Sequence, residues 1–115
     1  MIANSQDMVR VAVEAAKNKK AIDIVALDIR DVSILADYFV ICSGNSTTQV
    51  RAIADEIEEK MEQAGYPLDH VEGYKEERWI LLDYNDVVVH VFHTHERDFY
   101  NLERLWRDAR VLAYD

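Results

Sequence analysis

The sequence predicts an α/β domain, a mixed β-sheet flanked by helices, and three observations carry that reading. Two apolar runs of strand length, residues 21–29 and 37–43, are bounded by polar residues or glycine. A segment after residue 46 repeats its apolar residues at helical spacing between a start signal and a stop signal. A longer β-rich segment, residues 78–93, folds back on itself around Asn85, which tolerates the left-handed backbone of a tight turn.

Ser5 can cap a first helix whose apolar side holds Met8, Val9, Val11, Ala12, Ala15 and Ala16, and which ends near Lys19. Residues 21–29, rich in Ile, Val and Leu, read as a strand with Asp28, Arg30 and Asp31 at its exit. Residues 32–36 fit a helical turn or a loop equally well. Tyr38-Phe39-Val40-Ile41-Cys42 is almost continuously apolar, the composition of a central strand buried on both faces. Ser46 and Gln49 form a capping box for a second helix carrying Val50, Ile53, Ala54, Ile57, Met61 and Ala64. Gly65 ends it and Pro67 prevents its resumption. His70-Val71-Glu72 reads as a short edge strand broken by Gly73. The hairpin follows, with Tyr84-Asn85 as its turn between Asp83 and Asp86. A third helix is expected over residues 96–109, with Phe99, Leu102, Leu105 and Trp106 on one face; residues 111–115 receive no assignment.

At 115 residues the chain is expected to form one domain, 1–115, with one core and no separate substrate domain. Half the residues are hydrophobic and 30% are charged, an ordinary balance for a globular protein rather than a disordered one. No apolar run approaches the length of a membrane span, and the first residues lack a basic region followed by an apolar one. The single cysteine, Cys42, sits in an apolar run, so a buried thiol and a reducing, cytoplasmic location are expected. The net charge of −9 weighs against a protein built to grip phosphates, which needs clustered Lys and Arg. The one basic run, Lys17 to Lys20, stands at a helix C-terminus, where the dipole favours cations. An acidic domain of this kind suits a basic protein partner.

The junction from Ser43 to Thr48 is rich in small and hydroxylated residues and could hold a phosphate, but it matches neither the lysine-containing phosphate loop nor the spaced glycines of a dinucleotide site. A helix cap explains it. His90, His93 and His95 invite a zinc reading, yet strand alternation puts His90 on the opposite face from the other two, so no metal is expected. Asp83 and Asp86 invite a magnesium site, but they flank a turn three apart rather than sharing a strand face two apart. Alternation sends Trp79, Leu81 and Asp83 to one face of the hairpin and Ile80, Leu82 and Tyr84 to the other. Aromatic rings among charges at a sheet surface are the composition of a protein-binding hot spot.

An ordered set of motifs spans nearly the whole chain: Ala26-Leu27-Asp28, Ala36-Asp37-Tyr38-Phe39-Val40-Ile41, Ser43-Gly44-Asn45-Ser46, Val50-Arg51-Ala52-Ile53-Ala54, Val71-Glu72-Gly73, Trp79-Ile80-Leu81-Leu82-Asp83-Tyr84, Asp86-Val87-Val88-Val89-His90-Val91-Phe92 and Arg97-Asp98-Phe99-Tyr100-Asn101-Leu102-Glu103-Arg104-Leu105-Trp106. This set resembles the ribosomal silencing factors of the iojap-related family, with Asn85 where the family often has Gly. The resemblance implies a nucleotidyltransferase-like core without catalytic acids and a non-enzymatic translational repressor with no cofactor. It implies binding to the large ribosomal subunit through its basic protein number fourteen, a steric block to small-subunit joining when nutrients are short, and a homodimer when free. Carried onto this chain, it makes Trp79, Asp83, Tyr84, Asp86, His90, Glu96, Arg97 and Tyr100 the expected partner-binding residues. Trp79, Tyr84 and Tyr100 would anchor, while Asp83, Asp86 and Glu96 would meet Lys and Arg. Two alternatives stay open: a magnesium-dependent nucleotidyltransferase using residues 44–46 with Asp83 and Asp86, and a dimeric scaffold for another basic protein.

Overall fold

The computed structural model describes residues 5–31, 34, 36–73, 75, 78–94 and 110–112. Its elements run α1 (Ser5–Asn18), β1 (Ile22–Asp28), β2 (Tyr38–Gly44), α2 (Thr47–Gln63), β3 (His70–Glu72), β4 (Trp79–Asp83), β5 (Val87–His93) and β6 (Arg110–Leu112). The helix expected over residues 96–109 lies outside the described residues, as do Glu96, Arg97 and Tyr100. Ser5, expected as a cap, is the first helical residue.

The strands form one mixed sheet in the order β3-β4-β5-β2-β1-β6. Only β2 and β5 are parallel; every other neighbouring pair is antiparallel. Every residue of β2 is buried, as its continuous apolar run requires of a central strand. β6 lies antiparallel on β1 and supplies an edge strand that the sequence pattern did not announce.

Both described helices pack on one face. Val9, Ala12, Val13 and Ala16 of α1 and Val50, Ile53, Ile57 and Met61 of α2 meet Val40, Cys42, Ile80, Leu82, Val89 and Val91 of the sheet. The start of α2 follows its sequence signal. Ser46 Oγ accepts from the Gln49 amide N–H at 3.1 Å. The return bond of the capping box shifts by one residue, because the Gln49 amide also spans to α1: its Oε1 accepts from Asn45 N–H, and its Nε2 donates to the Lys19 and Lys20 carbonyls. At the other end Gly65, at φ +88, turns the chain so that Tyr66 N–H reaches the Met61 carbonyl and Gly65 N–H reaches that of Glu62.

A second apolar layer occupies the opposite face: Leu27, Ile29, Ala36, Phe39, Ile41 and Phe92, with Val25, Trp79 and Val88 partly buried against it. The hairpin feeds both layers, and its burial alternates along β4, where Ile80 and Leu82 are buried between half-buried neighbours.

Candidate functional site

The β4–β5 hairpin carries five of the expected partner-binding residues, and its register decides which of them come together. Trp79 pairs with Phe92, Leu81 with His90 and Asp83 with Val88. On the other side of β5, His90 pairs with Ile41 and Val88 with Phe39. Paired residues share a face, so Trp79, Asp83, His90, Phe92 and Phe39 stand together on the face opposite the helices.

The rings on that face form a stack. Trp79 lies on Phe92 with centroids 4.9 Å apart and planes 26° from parallel. His90 is stacked against Phe92 at 6.2 Å and meets Phe39 edge-on at 4.8 Å. The Trp79 indole Nε1–H donates to His90 Nδ1 at 3.1 Å. His90 is 4% exposed, and burial pushes its pKa down to about 4, so the imidazole is neutral at physiological pH. Its Nε2 is buried with no hydrogen-bond partner among the described residues. The backbone beneath Trp79 is equally close-packed. Gly73 has φ +81, and a Cβ there would fall 1.9 Å from the Trp79 carbonyl oxygen. Only glycine fits this contact.

At the tip, Asn85 adopts φ +70, as expected of the turn residue. The turn itself sits one residue later than the sequence reading placed it. Tyr84 N–H donates to the Val87 carbonyl, which leaves Asn85 and Asp86 as the tip. The Asp83 carboxylate explains the shift, because its Oδ1 accepts from Asn85 N–H at 2.8 Å and closes the turn from the strand end. Asp86 is exposed, and its carbonyl accepts from Asp37 and Tyr38 N–H, tying the tip to the start of β2.

Two expected roles change. Tyr84 was expected to offer anchoring area, yet it is 4% exposed and belongs to the core under the helices. Alternation assigns it to the face opposite Trp79, and α2 covers that face. Its hydroxyl has no hydrogen-bond partner among the described residues, and burial together with the nearby Glu58 carboxylate raises its pKa. His90 was among the expected partner-binding residues; it is buried instead, hydrogen-bonded to Trp79. Phe39 and Phe92, which line the same stack, were absent from the expected set. Their signal lay in the pairing of β5 between β4 and β2, and no local pattern reveals that. Among the described residues, no three His, Cys, Asp or Glu side chains converge as a metal site.

The family model described as ribosomal silencing factor during starvation matches residues 2–115. The chain belongs to the ribosomal silencing factor family. The ribosomal silencing factor RsfS of Bacillus subtilis is 48% identical over 112 residues, covering 97% of this chain and 95% of that protein. Among solved structures, a protein from Bacillus halodurans is 44% identical with a TM-score of 0.84, over 95% of this chain and 99% of that one. Another, from Chromobacterium violaceum, is 35% identical with a TM-score of 0.88, over 90% and 87%. The chain shares its fold with both of these solved structures.

Proposed function

We propose that this chain represses translation by binding the large ribosomal subunit through its basic protein number fourteen, where its bulk blocks joining of the small subunit. The family match over residues 2–115 carries this reading. The structure adds a candidate surface to it: Trp79 held over His90 on one face of the hairpin, with Asp83 at the strand end and Asp86 exposed at the tip. Trp79 is the anchor, and the two carboxylates on a chain of net charge −9 complement Lys and Arg on the ribosomal protein. Repression needs occupancy and no turnover, so this role calls for neither catalysis nor cofactor; the same reading takes the chain to be cytoplasmic and a homodimer when free.

The nucleotidyltransferase alternative draws no support from the hairpin. The Asp83 carboxylate is engaged with the Asn85 amide, and a turn separates it from Asp86. In the Ser43 to Thr48 junction, the Ser46 hydroxyl caps α2.

Sedimentation of the chain with separated ribosomal subunits tests the proposal. Co-migration with the large subunit and fewer joined ribosomes are expected. The Trp79→Ala variant should lose about 2 kcal/mol of binding, on the order of thirtyfold, as truncation of a central aromatic anchor commonly does. Joining that proceeds unchanged with saturating chain would overturn the steric mechanism.

A further inference from the structure

We propose that His90 is a positioning residue for Trp79: with its proton on Nε2, its Nδ1 accepts the indole N–H and sets the angle at which the ring meets a partner. This rests on the reading of the Trp79 face as the partner-binding surface.

The tautomer follows from the chemistry of the pair. An indole nitrogen can only donate, so the His90 nitrogen facing it at 3.1 Å must be the unprotonated acceptor. The proton of the neutral ring is then on Nε2, which is buried and has no partner among the described residues. An orphaned buried N–H is unfavourable, and a phenyl ring would fill the same place between Phe39 and Phe92 without it. Packing alone therefore favours phenylalanine at position 90. What imidazole adds over phenyl is one acceptor aimed at Trp79.

The surroundings fix that acceptor in place. Phe39 stands edge-on to the imidazole at 69°, and Phe92 lies nearly parallel to it at 12°, so the ring is held from two sides. The Trp79 backbone is pinned by the close approach of Gly73. The indole is half-buried, tilted 38° from the imidazole and resting on Phe92. Ring stacking on Phe92 constrains the indole loosely, whereas a hydrogen bond at its nitrogen is strongly directional and fixes which edge faces His90. The ring thus reaches a partner already oriented, and the ordering entropy is not charged to binding.

Nitrogen-15 NMR of the histidine-labelled full chain at neutral pH gives the first test. His90 should show an unprotonated Nδ1 and a protonated Nε2, with coupling to the Trp79 indole proton. The reverse pattern would overturn the proposal. The second test pairs stability with affinity for the large subunit. H90F, which removes the buried imidazole N–H but also the acceptor of the Trp79 indole N–H, should be about as stable as the parent chain at neutral pH, yet bind about tenfold more weakly, the weight of one hydrogen bond. H90N, whose Oδ1 falls near the lost Nδ1, should recover part of that affinity; equal weakening by both variants would overturn the positioning role. Should H90F fail to fold, the nitrogen pattern and H90N decide. If W79A binds normally, the face and its extension both fail. If W79A weakens binding while H90F binds like the parent chain, the positioning role fails and the face stands.

Discussion

The two faces of the sheet are made from the same strands but bury different chemistry. Under α1 and α2 the layer is mostly aliphatic, with Val9, Val40, Ile53, Ile57, Ile80, Leu82, Val89 and Val91 fully buried. The opposite layer is smaller and holds rings, with a neutral imidazole between Phe39 and Phe92 and a half-buried indole above. Aliphatic packing is sensitive to volume and indifferent to pH, whereas the ring layer contains a group whose protonation its surroundings oppose. The first face therefore holds the larger share of the buried apolar packing. The second gives up some stability for a polar contact to a residue at the surface, a pattern expected where a surface is built for recognition.

The sharpest way to separate the faces is to remove volume from the first. Ile53→Ala, at a fully buried α2 position, should lose about 4 kcal/mol in urea unfolding, a large part of the stability of a domain this size. It should leave the affinity of the folded fraction for the large subunit unchanged. A loss below about 1 kcal/mol would mean that the helix face is not close-packed.

Next in size is a pH effect confined to the second face. The His90 pKa is about 4 when folded, below the 6.5 of an ordinary histidine. Between these values the unfolded chain binds a proton that the folded chain refuses, so stability falls as pH falls through the window and this group adds no further loss below it. The full contribution is about 3 kcal/mol, with about 2 kcal/mol of it reached near pH 5. Urea titrations of the parent chain and H90F at neutral pH and near pH 5 should diverge by that amount. Parallel curves would mean that His90 accepts its proton freely in the folded state.

The smallest of these effects concerns a polar atom on the aliphatic face. Tyr84→Phe removes a buried hydroxyl that has no partner among the described residues, and should stabilise by about 1 kcal/mol without altering subunit binding. Weakened binding by this variant would return Tyr84 to the partner surface and blur the division between the faces.

Much of the architecture was legible because its signals are local. The periodicity of α2, its Ser46 start and its Gly65 end concern residues a few positions apart, and each took its expected place. Asn85 marked the hairpin for the same reason, although the Asp83 carboxylate moved the turn one residue along. The candidate site was legible as a segment but not as a surface. Alternation placed Trp79 and Asp83 opposite Tyr84, but it carries no label saying which face the helices cover.

By itself, then, the sequence determined α1, β1 to β3, α2 and the hairpin that carries Trp79, and with them the α/β class, since backbone propensity, turn chemistry and apolar spacing act over short separations. Only the tertiary structure decided that β5 lies parallel to β2, that β6 closes on β1, that Tyr84 lies under the helices, and that His90 lies beneath Trp79 between Phe39 and Phe92. Those outcomes depend on contacts between residues far apart in the chain, where strand pairing and the burial of whole faces, rather than local preference, set the free energy.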